Sequence, residues 1–310
     1  MKKITLANSK IDVTPLCLGA NVFGWTSDER ESFEVLDGYF AAGGNFIDTA
    51  DIYSEWAQGN KGGESETIIG KWFQTNGNRK SIVLATKVAK LSTRLGLSYK
   101  NIKAAVNDSL NRLQSDYIDL YWAHEDDSKT PLLETLTAFN ELLKEGTIKA
   151  FGASNYSASR IREAHEIARS NQLQSFTAIQ NEYNLVSRKE YENEFGTKAI
   201  ELKLDQIPYY ALASGFLTGK YRKGVSVDST RAKDVAKYLT PDGYRLMESV
   251  ERIASEHNSN PSAIALAWLR SKNCIPIASA RTREQLPAIL DLPVLSSEEV
   301  SELEQLSINF

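Results

Sequence analysis

The chain has 310 residues, of which 42% are hydrophobic and 25% charged, with a formal net charge of −4. That balance is ordinary for a globular protein, and without a basic excess it argues against nucleic acid or an anionic membrane surface as a partner. A chain of this length buries a large core and exceeds a typical single domain unless the fold is a barrel, a class that runs to about 250 residues or more.

The first residues, "MKKITLANSK", carry two lysines with no apolar run behind them and do not read as a signal peptide. No later segment approaches the roughly 20 apolar residues that span a bilayer. A cytoplasmic protein with no membrane partner is expected. Residues 3 to 13 read as a hairpin turning at "NSK". Eight short apolar runs follow: "LCLGA" (16 to 20), "NFID" (45 to 48), "SIVLATKV" (81 to 88), "YIDLYWAH" (117 to 124), "IKAFGAS" (148 to 154), "FTAIQ" (176 to 180), "QIPYYAL" (206 to 212) and "CIPIAS" (274 to 279). Between them lie helical patterns such as "ERESFEVLDGYFAAG", "YKNIKAAVNDSLNRLQ" and "PLLETLTAFNELLKEG", the last closing on a glycine suited to a helix C-cap.

Strand and helix alternating eight times with no internal linker favour one (β/α)₈ barrel domain over residues 1–310. The first βα turn, "LGANVFGW", has Gly19 and Gly24 but not the G-x-G-x-x-G spacing of a dinucleotide fingerprint, which disfavours an open doubly wound sheet. Ser214 to Leu239, charged and rich in Gly and Ser, reads as an extended loop after the seventh barrel strand, on the face where barrels keep their chemistry. Cys17 and Cys274 each lie in an apolar stretch and read as buried reduced thiols. The three scattered histidines are too few for a zinc site, so no metal is expected, and His165 and His257 read as surface residues of helices. A monomer and a homo-oligomer are both left open.

Several of the apolar runs end on polar side chains. Asp48 closes the second, Lys87 the third, His124 the fourth, Ser154 and Asn155 the fifth, and Gln180 the sixth. In a parallel barrel these ends meet on one face, so residues distant in sequence converge on one mouth. Tyrosine is a poor acid, with a reference pKa near about 10, but an adjacent ammonium favours its deprotonated form. Tyr53 beside Lys87 is thereby a tunable proton donor whose pKa Lys87 lowers. Asp48 keeps Lys87 charged, and His124 is suited to orient a substrate oxygen. Such a site protonates an oxygen that is acquiring negative charge. No nucleophile is activated in the Ser-His manner, and Asp48 disfavours the neutral lysine that a Schiff-base lyase would need. Trp25, Trp56 and Trp122 fall near the expected mouth, where they line an apolar pocket or, for Trp122, pack the core.

The strings "GGNFIDTADIYS", "LATKV", "DLYWAHEDD", "FGASNYS", "IQNEYNL" and "YYALASGFLTGKY" resemble, in order and spacing, the aldo-keto reductase superfamily, in particular its microbial branch and the related potassium-channel β subunits. The resemblance implies a (β/α)₈ TIM barrel, an NADPH-dependent reduction of an aldehyde or ketone, and a catalytic tetrad of Asp48, Tyr53, Lys87 and His124. It implies that Ser154, Asn155 and Gln180 hold the nicotinamide carboxamide, that Tyr209 stacks on the ring, and that Gly19 and Asp48 also meet the cofactor. Leu212, Ser214, Gly215, Leu217, Gly219 and Lys220 correspond to the loop over the pyrophosphate. At the adenosine end Arg281 and Gln285 stand where the family contacts the 2′-phosphate and adenine, with Ser279 where some relatives have lysine and Ile289 where asparagine is frequent. "HEDD" lacks the Arg-Pro often found after the histidine. The same resemblance implies, as an alternative, a cofactor-sensing subunit with slow turnover, and leaves NADH open as a second cofactor.

Overall fold

A computed structural model describes residues 2–310 except 8, 223, 225, 226 and 228–231. Strands β1 (Ile4–Thr5) and β2 (Asp12–Val13) pair antiparallel as the expected hairpin, of whose turn Asn8 lies outside the described residues. Seven further strands alternate with helices before the eighth barrel strand: β3 (Cys17–Gly19), α1 (Glu29–Ala41), β4 (Phe46–Asp48), α2 (Glu64–Asn76), β5 (Val83–Val88), α3 (Tyr99–Leu113), β6 (Ile118–Ala123), α4 (Leu132–Glu145), β7 (Ile148–Ser154), α5 (Ala158–Ser170), β8 (Ala178–Gln180), α6 (Lys189–Glu194), α7 (Gly196–Glu201) and β9 (Asp205–Gln206). After them come α8 (Ala232–Val235), α9 (Pro241–Glu256), α10 (Pro261–Ser271), β10 (Ile277–Ala278), α11 (Pro287–Leu290) and α12 (Ser297–Leu306).

The barrel strands are all parallel, in the order β10-β3-β4-β5-β6-β7-β8-β9. The ring closes through Ile275 N–H donating to the Gln206 carbonyl at 2.8 Å and Ile277 N–H to the Pro208 carbonyl at 2.9 Å. This is a (β/α)₈ barrel. Helix starts follow local chemistry: Asp28 and Glu31 make a capping box on α1, Ser98 and Ser157 cap α3 and α5, and Thr240-Pro241 and Asn260-Pro261 open α9 and α10. Gly146, at φ +76°, ends α4 as its position suggested.

Strand pleat divides the core in two. Cys17, Phe46, Val83, Ala85, Leu120, Trp122, Ala150, Ala178, Ile207 and Ile275 fill the barrel, and Leu6 and Val13 of the hairpin join them. Intervening residues such as Leu84, Val88, Tyr121, Phe151 and Ala153 pack outward against the helices. Trp122 is wholly buried in the inner layer, and an added Cβ on its register partner Gly152 would stand 2.3 Å from the indole Cζ3. It packs the core rather than lining the mouth.

Three expected boundaries shift. The seventh run is a strand only at Asp205–Gln206 with a bridge at Tyr209, because Pro208 has no N–H and Tyr210 turns to φ +54°. The eighth shortens to Ile277–Ala278 beside Pro276. The stretch expected as an extended loop contains a 3₁₀ segment at Ala213–Thr218, then α8 and a 3₁₀ turn at Ala236–Tyr238, while part of it lies outside the described residues. Cys17 and Cys274 are buried thiols. His165 and His257 are half-buried rather than fully exposed; His165 Nδ1 lies 2.9 Å from the Ile161 carbonyl and His257 Nε2 2.8 Å from Glu299 Oε1. Among the described residues no helix is long and apolar enough to cross a membrane.

Candidate active site

The period-2 alternation that fills the barrel also aims its polar strand ends. In β5, Val83 and Ala85 face inward and Lys87 continues that row; in β7, Ala150 and Gly152 are continued by Ser154; in β4 and β8 the inward Phe46 and Ala178 lead to Asp48 and Gln180. The lower layers are apolar, and the top layer is hydrogen-bonded.

Asp48 Oδ2 accepts from Lys87 Nζ at 2.5 Å and Asp48 Oδ1 from Gln180 Nε2 at 3.0 Å. Lys87 gives its other donors to the Thr49 carbonyl at 2.7 Å and the Tyr53 hydroxyl at 3.1 Å. An ammonium has three donors, so Lys87 is satisfied although its side chain is wholly buried. Burial pulls its pKa down, but Asp48 and Tyr53 outweigh that and hold the ammonium above the usual lysine range. Lys87 is thereby unsuited to Schiff-base formation.

Lys87 lowers the Tyr53 pKa as expected, but it is outweighed. Burial is the largest influence on this phenol and holds it above the ordinary range; the Lys87 charge offsets only part of this. The phenol keeps its proton at neutral pH, and Lys87 stabilises the anion once that proton leaves. His124, 9% exposed, sits edge-on to Tyr53 with ring centroids 6.1 Å apart. Burial, then the Lys87 and Lys90 charges, holds the imidazole well below its usual range, so it is neutral at pH 7. Its Nδ1 is buried with no hydrogen-bond partner among the described residues.

Ser154, Asn155, Gln180 and Tyr209 form a connected set beside this cluster. Ser154 Oγ donates to the Gln180 carbonyl at 2.7 Å, Asn155 Nδ2 to the His124 carbonyl at 2.9 Å and to Ser154 Oγ at 3.1 Å, and the Tyr209 hydroxyl to Asn155 Oδ1 at 2.7 Å. Both ends of the Asn155 amide are therefore engaged within the chain.

The remaining expected cofactor residues lie on two further segments of the barrel rim. Leu212, Ser214, Gly215, Leu217, Gly219 and Lys220 follow β9, with Ala213, Ser214 and Gly215 consecutively in left-handed backbone at φ +48°, +55° and +98°. Leu217 is wholly buried, so its side chain faces the core. Lys220 is exposed, with its Nζ 5.1 Å from the Tyr221 ring centroid. Ser279, Arg281 and Gln285 follow β10. Ser279 Oγ donates to Asn21 Oδ1 at 2.6 Å, and an added Cβ on Gly19 would stand 2.7 Å from that Oγ, which ties this segment to the end of β3. Arg281 N–H donates to Gln285 Oε1 at 2.9 Å and its carbonyl accepts from Ser27 Oγ at 2.8 Å, leaving the exposed guanidinium on a backbone held from both sides. Trp25 and Trp56 meet edge-on at 5.7 Å, and Trp56, 47% exposed, also meets Tyr53 at 5.6 Å.

Residue-by-residue reading missed Thr49, whose part is played by its backbone carbonyl, and Asn21, whose signal is its place two residues after a strand end. It also missed the pairing of Gln180 with Asp48, which reaches across the barrel between strands that are not neighbours.

The chain belongs to the aldo/keto reductase family, whose model matches residues 15–308. This is a family of oxidoreductases that generally use a nicotinamide cofactor. The chain is 33% identical to a probable voltage-gated potassium channel subunit beta of Oryza sativa subsp. japonica, over 98% of this chain and 96% of that protein. It is 33% identical to the uncharacterized oxidoreductase YrpG of Bacillus subtilis (strain 168), over 92% and 89% respectively. It is 28% identical to an aryl-alcohol dehydrogenase of Pestalotiopsis microspora, over 98% of this chain and 81% of that protein.

Proposed function

We propose that this protein is an NADPH-dependent carbonyl reductase, with Tyr53 as the general acid and Asp48, Lys87 and His124 as its partners. The observation that carries the reading is the Tyr53 hydroxyl 3.1 Å from a wholly buried Lys87 ammonium that is itself fixed by Asp48 at 2.5 Å. The residues present suit a carboxamide-bearing dinucleotide: Ser154, Asn155 and Gln180 carry hydroxyl and amide groups at one edge of the mouth that would exchange some of their mutual hydrogen bonds for the carboxamide, and Tyr209 offers an aromatic face. Ala213 and Gly215 use their N–H groups on the Tyr210 and Leu212 carbonyls, so the left-handed run fixes a tight turn after β9, and the charge that suits the phosphates comes from Lys220 and Arg281. A reduced nicotinamide bound there supplies hydride.

The chain's own residues do the rest. His124, neutral, donates to the carbonyl oxygen and fixes its place. Tyr53 passes its proton to that oxygen as negative charge develops, and Lys87 stabilises the phenolate left behind. Trp25 and Trp56 form an apolar wall beside Tyr53, suited to an aldehyde or ketone carrying an apolar or aromatic group. NADPH is preferred through Arg281, with NADH as a weaker second cofactor. The protein acts in the cytoplasm as one barrel domain over residues 1–310.

A second reading, a cofactor-responsive regulatory subunit with slow turnover, draws its support from the similarity to the rice channel subunit. Steady-state assays across aldehydes, ketones and quinones with NADPH and NADH separate the two. Multiple turnovers on at least one carbonyl support the reductase, and tight NADPH binding with no turnover on any of them contradicts it.

A further inference from the structure

Behind the Tyr53 loop lies a buried charge cluster that the proposed reaction does not use. Asp51 is 1% exposed, and its carboxyl oxygens have no well-formed hydrogen bond among the described residues beyond a weak approach of the Ile52 N–H. From α2 comes Glu66, wholly buried, whose Oε1 accepts from Thr86 Oγ1 at 2.5 Å and whose Oε2 accepts from Arg112 Nε of α3 at 2.7 Å. From β5 comes the Lys87 charge, and from β6 the buried hydroxyl of Tyr121, which feels Asp51, Glu66, Arg112 and Arg94, the last paired with Asp108.

Backbone contacts join this cluster to the loop that carries Tyr53. Asp51 N–H donates to the Lys87 carbonyl at 3.4 Å, and the Tyr53 carbonyl accepts from Gly63 N–H at 2.9 Å and Ser65 N–H at 3.3 Å. Gly63, at φ +86°, opens α2 directly against Arg112: an added Cβ would stand 2.4 Å from the arginine Cδ. If Asp51 and Glu66 were both ionised, two buried negative charges would face the one guanidinium of Arg112. With Asp51 neutral, the charges match.

We propose that Asp51 is a positioning residue for Tyr53: as a neutral carboxylic acid it lets residues 49–54 seat the phenol on Lys87, and its ionisation in alkaline solution displaces that phenol. Burial first, and Glu66 second, raise its pKa to about 8, with Arg112 giving partial relief. A carboxyl raised in this way keeps its proton in the folded state where the unfolded chain has lost it. The stability that Asp51 contributes therefore falls as pH rises from the ordinary value of 3.8 to about 8, and Asp51→Asn removes that contribution while leaving those of the other groups.

The kinetic consequence rests on the reading of Tyr53 as proton donor, so the test begins with a readout that does not. Carboxyl and tyrosine-ring ¹³C NMR on the full chain, assigned with Asp51→Asn and Tyr53→Phe, follows both residues through the range around pH 8. The Asp51 carboxyl should titrate near that pH, and the Tyr53 signal should shift with the same midpoint and lose that shift in Asp51→Asn. The alkaline fall of kcat/KM for carbonyl reduction should share the midpoint and move upward in Asp51→Asn. An Asp51 carboxyl that titrates in the ordinary aspartate range, or a Tyr53 signal blind to it, overturns the proposal whatever the activity. If the protein reduces no carbonyl, coincident NMR midpoints still support the coupling while the reductase reading falls. If Asp51→Asn does not fold, the wild-type midpoints alone decide.

Discussion

Lys87 gives one donor each to Asp48, Thr49 and Tyr53, so replacing it disturbs charge and geometry together. In Lys87→Met the volume is nearly kept, but Asp48 is left buried with Gln180 as its remaining partner. Removing one member of a buried ion pair typically costs about 3–5 kcal/mol. The variant should keep its far-ultraviolet circular dichroism at room temperature, melt earlier and lose carbonyl reduction; near wild-type turnover would contradict the role assigned to Lys87. Arg281 differs because its backbone is held by Gln285 and Ser27 while its guanidinium is exposed. Truncation to Ala should leave the fold intact and remove a charge-assisted contact worth about 1.5–3 kcal/mol. Titration should then find NADPH binding weakened by about 10- to 100-fold and NADH binding nearly unchanged. Equal losses for both cofactors would take Arg281 away from the 2′-phosphate.

At the scale of elements, the strand pleat does most of the placing. Trp122 on β6 fits only because Gly152 on β7 has no side chain. Gly152→Ala forces the indole to move, and overpacking of this kind costs about 1–3 kcal/mol. Denaturant unfolding should show a lower midpoint with an unchanged slope; an unaltered midpoint would mean that the inner layer yields more easily than its packing implies. The same alternation made much of the site legible beforehand, since each inner row ends on a residue that does not belong in an apolar layer: Asp48, Lys87, His124, Ser154, Gln180. Strand lengths near Pro208 and Pro276 were less legible, because an apolar run does not reveal where the ladder loses its donors. Short helical pieces between Ala213 and Tyr238 are too brief for periodicity to register. The Asp51, Glu66 and Arg112 cluster was hidden for another reason. Its members come from one loop and two helices, and each alone reads as an ordinary solvated charge.

For the whole molecule, the closed barrel brings residues from six chain segments to one mouth, and the question is whether that mouth turns over or only binds. Relatives named as oxidoreductases and relatives named as channel subunits both align along most of the chain, so similarity does not choose between them. NADPH entering this mouth should quench tryptophan fluorescence, because Trp56 stands beside Tyr53 with Trp25 against it, and Trp56→Phe should reduce that quench. The same signal supplies the binding readout for the most direct test, Tyr53→Phe, which removes one hydroxyl and keeps the ring against Trp56 and His124. Cofactor affinity by fluorescence and steady-state aldehyde reduction are measured on one preparation. General-acid assistance is worth about 10²–10⁴-fold, so kcat/KM should fall within that range while the NADPH Kd stays near its wild-type value. Unchanged kcat/KM in Tyr53→Phe would contradict the account.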